Sequence, residues 1–276
     1  RLFFTRLDTP QSMPVSLPDA GLLGVSRTGE LAVSLGHSFE GWMGGGTLAR
    51  APLLGGGARP VLEGVREADF SPDGSQLAIV RRVDGRERLE LPAGRVLYET
   101  AGYISDVRVS PRGDRIAFAD HALWADDIGT IAVVDLSGAK KTLTGTWAGG
   151  VSGLAWSPPG EEVWFTASPD NSNLAVRAVD LAGRQRVLLA GLTDLFLFDV
   201  SREGRLLLGR ANQLRTVEAL PAGRATPEDL SLRASTAARF MSSDGRVILL
   251  SDQSARPYTA YVQHADGSPP VRVGQG

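Results

Sequence analysis

The sequence predicts an all-β fold made of repeated four-stranded antiparallel units, and three observations carry that expectation. Of 276 residues, 33 are glycine and 16 proline, so a breaker stands at every fifth or sixth position and long helices have little room. One turn motif recurs six times along the chain. A second, weaker turn follows each copy after about 20 to 27 residues.

The six copies are Val25-Ser-Arg-Thr-Gly29, Phe70-Ser-Pro-Asp-Gly74, Val109-Ser-Pro-Arg-Gly113, Trp156-Ser-Pro-Pro-Gly160, Val200-Ser-Arg-Glu-Gly204 and Met241-Ser-Ser-Asp-Gly245, each followed by an apolar run. Their glycines are spaced by 45, 39, 47, 44 and 41 residues. Apolar run, tight turn and apolar run make a hairpin: Pro or Arg pre-sets the first turn position, Asp caps its own backbone, and Gly takes positive φ. The copies at Val25 and Val200 lack both Pro and Asp.

The second turn is visible at Leu54-Gly-Gly56, Leu91-Pro-Ala-Gly94, Val134-Asp-Leu-Ser-Gly138, Val179-Asp-Leu-Ala-Gly183, Leu220-Pro-Ala-Gly223 and His264-Ala-Asp-Gly267. Four strands per repeat of roughly 40 to 50 residues give a β-propeller, which solves the edge-strand problem by radial repetition. One propeller domain over 1–276 is expected, with blades at 18–63, 64–100, 101–146, 147–191, 192–230 and 231–276. Leu2 to Leu17 reads as an N-terminal half blade of two strands, so sequence beyond this stretch would bring the ring to seven blades. The first strand of each blade is expected to be apolar on both faces with a two-residue period, because blades pack on neighbours from both sides.

Composition bounds the function. Lys+Arg 29 against Asp+Glu 31 gives a net charge of −2, and the arginines are scattered, so nothing recruits nucleic acid or an anionic membrane. Zero cysteines exclude a disulfide framework, a thiol nucleophile and thiolate-bound metal, and suit an oxidising or a reducing compartment equally. No apolar stretch approaches the roughly 18 residues that span a bilayer. The opening Arg1-Leu-Phe-Phe, without an initiator Met, reads as the start of an excised piece of a longer protein.

With its Ser-Pro-Asp-Gly turn before an apolar strand and Asp-Leu-x-Gly turn closing the blade, the chain resembles the TolB-type WD40-like propeller repeats of bacteria. Such repeats also build the propellers of prolyl oligopeptidases and dipeptidyl peptidases. Arg1-Leu-Phe-Phe-Thr-Arg-Leu-Asp8, Gly46-Thr-Leu-Ala-Arg-Ala-Pro52, Glu99-Thr-Ala-Gly-Tyr-Ile-Ser105 and Asp120-His121 followed by Asp126-Asp127 are similar to propeller regions that follow a eukaryotic-like Ser/Thr kinase domain and a membrane span. The resemblance implies an extracytoplasmic sensor region of a receptor kinase. Its alternatives are a substrate-gating propeller of a prolyl-oligopeptidase-like peptidase and a TolB-like periplasmic scaffold.

No Gly-x-Ser-x-Gly elbow, phosphate-binding Gly-Lys-Ser/Thr loop, His-Glu-x-x-His or Asp-Phe-Gly is present, so no catalysis and no cofactor is expected of this region. His37, His121 and His264 fall in three repeats and read as surface or loop histidines. Binding is expected at the end where the second-to-third-strand loops and the inter-blade links gather, since those segments vary while the hairpin turns do not. Two of these loops pair an aromatic with carboxylates: Glu40 with Trp42, and Trp124 with Asp126 and Asp127. They suit a protein, peptide or small-ligand contact; equally, the rings could pin long loops to the blades while the carboxylates cap turn N–H groups. Shared calcium at Asp126 and Asp127 would need about six to eight oxygens that the spacing does not supply. Asp69, Arg108 and Asp199 occupy an inner-strand position that suits a polar ring lining the channel, or an inter-blade ion pair between Asp69 and Arg108, with a carboxylate partner for Arg239.

Overall fold

The computed structural model describes residues 2–6, 9–17, 19–40, 43–53, 56–170, 173–211, 215–220, 222–233, 235–254, 258–266 and 268–275. It is all-β, and none of the described residues forms a helix long and apolar enough to cross a membrane.

Serine is the side chain that makes the six hairpin turns alike. Its hydroxyl accepts a backbone N–H from across the turn: Glu30 to Ser26 at 2.9 Å, Gln76 to Ser71 at 2.9 Å, Asp114 to Ser110 at 3.2 Å, Glu162 to Ser157 at 3.0 Å, Arg205 to Ser201 at 3.2 Å and Val247 to Ser242 at 2.9 Å. The turn glycines all have φ between 70° and 79°. The copies without Pro and Asp close in the same way because that bond needs neither. Where Asp is present it adds local bonds: the Ser71 and Ser75 hydroxyls hold the Asp73 carboxyl down at about 2.

In chain order, β1 (Phe3–Arg6) and β2 (Thr9–Pro14) form a two-stranded sheet. Next, β3 (Ala20–Val25), β4 (Glu30–Glu40), β5 (Met43–Pro52), β6 (Arg59–Phe70), β7 (Leu77–Val83), β8 (Arg86–Glu90) and β9 (Val96–Thr100) make one seven-stranded sheet. Two four-stranded antiparallel sheets follow: β10 (Tyr103–Val109), β11 (Arg115–His121), β12 (Thr130–Asp135) and β13 (Lys140–Thr142); then β14 (Val151–Trp156), β15 (Glu162–Ala167), β16 (Ala175–Asp180) and β17 (Gln185–Leu189). The pair β18 (Asp194–Val200) and β19 (Leu206–Ala211) is separate from the short pair β20 (Glu218–Ala219) and β21 (Glu228–Asp229). The last four-stranded sheet is β22 (Thr236–Met241), β23 (Val247–Asp252), β24 (Thr259–His264) and β25 (Val271–Gln275).

Two features differ from the simple repeat. The 12-residue β6 runs unbroken through the 63/64 boundary, bending at Gly64 with φ 70°, and so serves as the last strand of one unit and the first of the next. Among the described residues of 192–230 the two strands after β19 are two residues each, where Pro227 precedes β21 in a segment with little apolar alternation.

The core lies between sheets. Val80, Leu89 and Leu97 pack against Ile104, Phe118 and Val134; Ala119, Ile131 and Leu143 pack against Leu154, Trp156 and Phe165; Ala155 and Val176 pack against Leu195 and Leu197. The β1–β2 pair joins through Leu2, Val15 and Leu17, which meet Leu31, Val33 and Ala51. In the middle of the chain one face of the first strand is apolar and buried, at Ala68, Val107, Val109, Leu154 and Trp156, while the other carries half-buried Asp69 and Arg108 beside buried Ala155; Val25, Phe240 and Met241 are exposed.

The expected two-residue period on the first strands is broken by a β-bulge in each of the six: the pairing shifts at Leu22/Gly24, Val65/Glu67, Ser105/Arg108, Ser152/Leu154, Leu197/Asp199 and Ala238/Phe240. A bulge leaves a residue out of the ladder. Carboxylates of the preceding unit take up N–H groups near that point: Glu67 from Val107 at 3.1 Å, Asp69 from Val109 at 2.7 Å and Asp106 from Gly153 at 3.0 Å.

Gly153 is where this apposition is tightest. A Cβ there would stand 2.0 Å from the Leu197 carbonyl oxygen, and φ is 69°. Gly153→Ala should therefore lose about 2–4 kcal/mol in thermal unfolding, from strained φ plus a forced β14–β18 separation. Gly204→Ala, with similar φ and nothing within 4 Å, should show only the strain, about 1–2 kcal/mol. Equal losses would locate the whole effect in φ.

Candidate functional site

A cavity of about 700 Å³ occupies the axis at the end formed by the variable loops and inter-unit links. Its wall draws His37 and Met43, Arg66 and Glu67, Tyr103, Ser105 and Asp106, Asp127, Gly150 and Ser152, Asp194 and Phe196, and Gln253 and Tyr258, one group from each successive repeat. A second cavity of about 700 Å³ lies at the hairpin-turn end, lined by Ser26, Ser71, Ser110 and Ser201 among others.

Arg108 lines both. It donates to its own strand at the Val107 carbonyl, 2.9 Å, and across the axis to the Phe198 carbonyl, 3.2 Å. Asp69 and Asp199 lie at the turn-end cavity. Among the described residues Asp69 and Arg108 form no ion pair. Burial raises the Asp69 pKa, opposed by the charge of Arg108 and by the Val109 N–H that its carboxylate accepts. Asp199 is exposed and accepts the Val200 N–H at 2.7 Å. Arg239 is exposed and has no ion pair among the described residues.

At the loop end, Trp124 is half-buried. The Arg82 guanidinium lies over its ring, 3.8 Å from the centroid, and Tyr103 meets it edge-on at 6.2 Å. Asp126 accepts the Ile128 N–H at 2.9 Å, closing the loop on itself. The Asp127 carbonyl accepts the Val151 N–H at 3.0 Å, and its side chain reaches the axial cavity. Trp42 lies outside the described residues; the backbone of Glu40 pairs with Met43 in the β4–β5 hairpin, and its side chain lies outside the description. No three His, Asp or Glu among the described residues are grouped to hold a metal ion.

Two side-chain groups at this cavity escape sequence reading. Arg66 grips the fully buried Glu87 through two bonds of 2.8 Å, and Glu87 also accepts the Ile104 N–H at 2.8 Å. Beside this pair, burial drives the Glu67 carboxyl up to about 7, against the charge of Arg66 and with the help of Asp106. The alternating charges of Arg86-Glu-Arg-Leu-Glu90, on a strand packed from both sides, were the available signal.

The second group corrects the reading of His121 as a surface or loop residue. It is fully buried, stacked on Tyr103 with ring centroids 3.9 Å apart. Burial is tolerable because both nitrogens lie against polar partners: Nδ1 donates to the Ile128 carbonyl at 3.1 Å, and Nε2 faces the Ser105 hydroxyl at 3.0 Å. The Ser105 proton is also claimed by the Asp106 carboxylate at 2.8 Å. Burial lowers the His121 pKa and keeps the ring neutral. His37 is half-buried against Ser34, and His264 is exposed.

No protein-family profile matches the chain, and no curated protein matches its sequence. Solved structures do. The putative TolB from Agrobacterium tumefaciens superposes with a TM-score of 0.51 at 17% identity, covering 91% of this chain and 79% of that one. TolB from Acinetobacter baumannii gives 0.50 at 17%, covering 83% of this chain and 60% of that one, so the chain spans less than two thirds of that protein. The β-propeller domain of the Trilobed protease from Pyrococcus furiosus gives 0.50 at 11%, covering 92% and 85%. At these identities the likeness is one of fold, and the fold is a β-propeller similar to that of TolB.

Proposed function

We propose that this propeller is a non-enzymatic binding module, the extracytoplasmic sensor or interaction region of a bacterial Ser/Thr receptor kinase, and that it takes a protein or small ligand on its variable-loop end. The observation that carries the reading is the axial cavity of about 700 Å³, whose wall gathers side chains from every repeat and mixes carboxylates with Tyr103, Phe196 and Tyr258. Concave sites with an apolar wall and a few fixed polar groups are where propeller-sized scaffolds hold ligands. The kinase part of the reading rests on the sequence resemblance. The proposed blades remain 18–63, 64–100, 101–146, 147–191, 192–230 and 231–276, with the half blade at 1–17.

Replacing the β4–β5 tip at 39–42 and the loop 122–127 by short Gly-Ser turns, which keeps Met43 and His121 in place, should reduce capture of envelope proteins or metabolites from the source cells by at least about tenfold, a loss of about 1.4 kcal/mol. Charge reversal at Arg27 and Arg202, on the opposite end, should leave capture unchanged. Capture that survives the double loop replacement overturns the placement.

A further inference from the structure

Next to the axial cavity lies a smaller one of about 340 Å³, bordered by Gly44, Gly46, Gly64, Arg82, Glu87 and Trp124, and opening toward Met43 and Arg66, which line both. Its one uncommitted charge is Arg82. The neighbouring arginines of the same sheet each hold a carboxylate: Arg66 with Glu87 at 2.8 Å, Arg81 with Glu90 at 2.8 Å, and Arg86 and Arg88 with Glu99 at 2.6 and 2.5 Å. Arg82 makes no hydrogen bond or ion pair among the described residues. Its cross-strand partner is Glu87, but that carboxylate is buried and already occupied by Arg66 and the Ile104 N–H. Instead the guanidinium lies on the Trp124 ring at 3.8 Å.

The Trp124 ring holds the guanidinium from one side, and its N–H groups have no partner among the described residues, which suits a two-oxygen acceptor. An arginine already held in place loses less side-chain freedom when it binds. On one side the wall is glycine: a Cβ added at Gly64 would meet nothing within 4 Å among the described residues, whereas Gly44 and Gly46 are packed against His37 and the Leu35 carbonyl.

We infer that this pocket binds a carboxylate, a C-terminal or Asp/Glu carboxylate of the segment received by the axial cavity, through Arg82 held against Trp124. The inference rests on the binding reading above for the source of that segment. The charge balance selects the class. Arg66 is neutralised by Glu87, leaving one net positive charge, which matches a carboxylate and undercompensates a phosphate dianion.

The test follows the indole N–H resonance of Trp124 in the ¹⁵N-labelled full chain, assigned with Trp124→Phe, during titration with N-acetyl-phenylalanine, its C-terminal amide and phenyl phosphate. The acid should shift the resonance saturably and bind at least about tenfold more tightly than the amide. Arg82→Gln, an exposed position whose unfolding temperature should be unchanged, should remove that preference, and Arg82→Lys should restore only part of it. Equal binding of acid and amide, an unaffected Arg82→Gln, or tighter binding of phenyl phosphate would each overturn the assignment. Failure here with loop-dependent capture intact removes only the carboxylate pocket; a positive titration together with capture that survives the loop replacement removes only the partner reading.

Discussion

Arg66→Met should cost about 3–5 kcal/mol of unfolding free energy in urea titration, and Glu87→Gln added to it should return most of that loss. Arg66 supplies two of the three hydrogen bonds to a carboxylate with 0% exposure, and its own side chain is 12% exposed. Burial works against the guanidinium charge, but Glu67 and Glu87 outweigh it and leave the Arg66 pKa above its ordinary value. Methionine keeps most of the apolar stem yet leaves the enclosed Glu87 carboxyl group bonded only to the Ile104 N–H. Removing that charge while keeping an amide oxygen for Ile104 relieves the penalty, which is why the double variant should be the more stable of the two. A loss below about 1 kcal/mol in the single variant would mean that the pair is solvated like an ordinary surface bridge.

The parts of the fold that read directly from sequence are those whose chemistry is local. Ser71-Pro-Asp-Gly74 closes on itself, with the Ser71 and Asp73 side-chain bonds that shape the turn all inside six residues, so its copies announce the hairpins one by one. The inter-unit contacts are different. Glu67 reaches Val107 and Asp69 reaches Val109, each 40 residues on, and Asp106 reaches Gly153, 47 residues on. Those separations equal one repeat step, so acidic residues on first strands signal caps for the next unit, but only once the ring is known. Asp69 and Arg108, read as partners across neighbouring strands, form no ion pair among the described residues, because Asp69 accepts the Val109 N–H while Arg108 donates to the Val107 and Phe198 carbonyls. The loop residues Trp124, Asp126 and Asp127 were legible as a cluster, whereas Arg82, which arrives from β7 to cover the indole, was not. His121 read as a loop residue because its stacking partner Tyr103 lies on the preceding strand.

Glu67→Gln should stabilise the protein above neutral pH and leave it nearly unchanged in acid. Burial raises the Glu67 pKa from 4.5 to about 7, helped by Asp106 and opposed by Arg66, the Val107 N–H and Arg108. The folded state therefore holds this proton more tightly than the unfolded chain does. The stability tied to it is fully present below pH 4.5, is lost as pH rises to about 7, and is flat above. At about 1.36 kcal/mol per pH unit the full window corresponds to at most about 3 kcal/mol, and residual solvent contact in the cavity brings the expected difference to about 1–3. Glutamine preserves an acceptor for the Val107 N–H at 3.1 Å, so the variant removes the charge rather than the cap. Two neighbours titrate as well: burial raises Asp69 in the same sense as Glu67, while His121, held neutral by burial, loses stability as pH falls. Both are present in wild type and variant alike, so the difference between their unfolding free energies, measured from pH 4 to pH 8.5, isolates Glu67. A difference that does not grow with pH would place the Glu67 carboxylate in ordinary solvent, and the axial cavity would then carry its full negative charge throughout the neutral range.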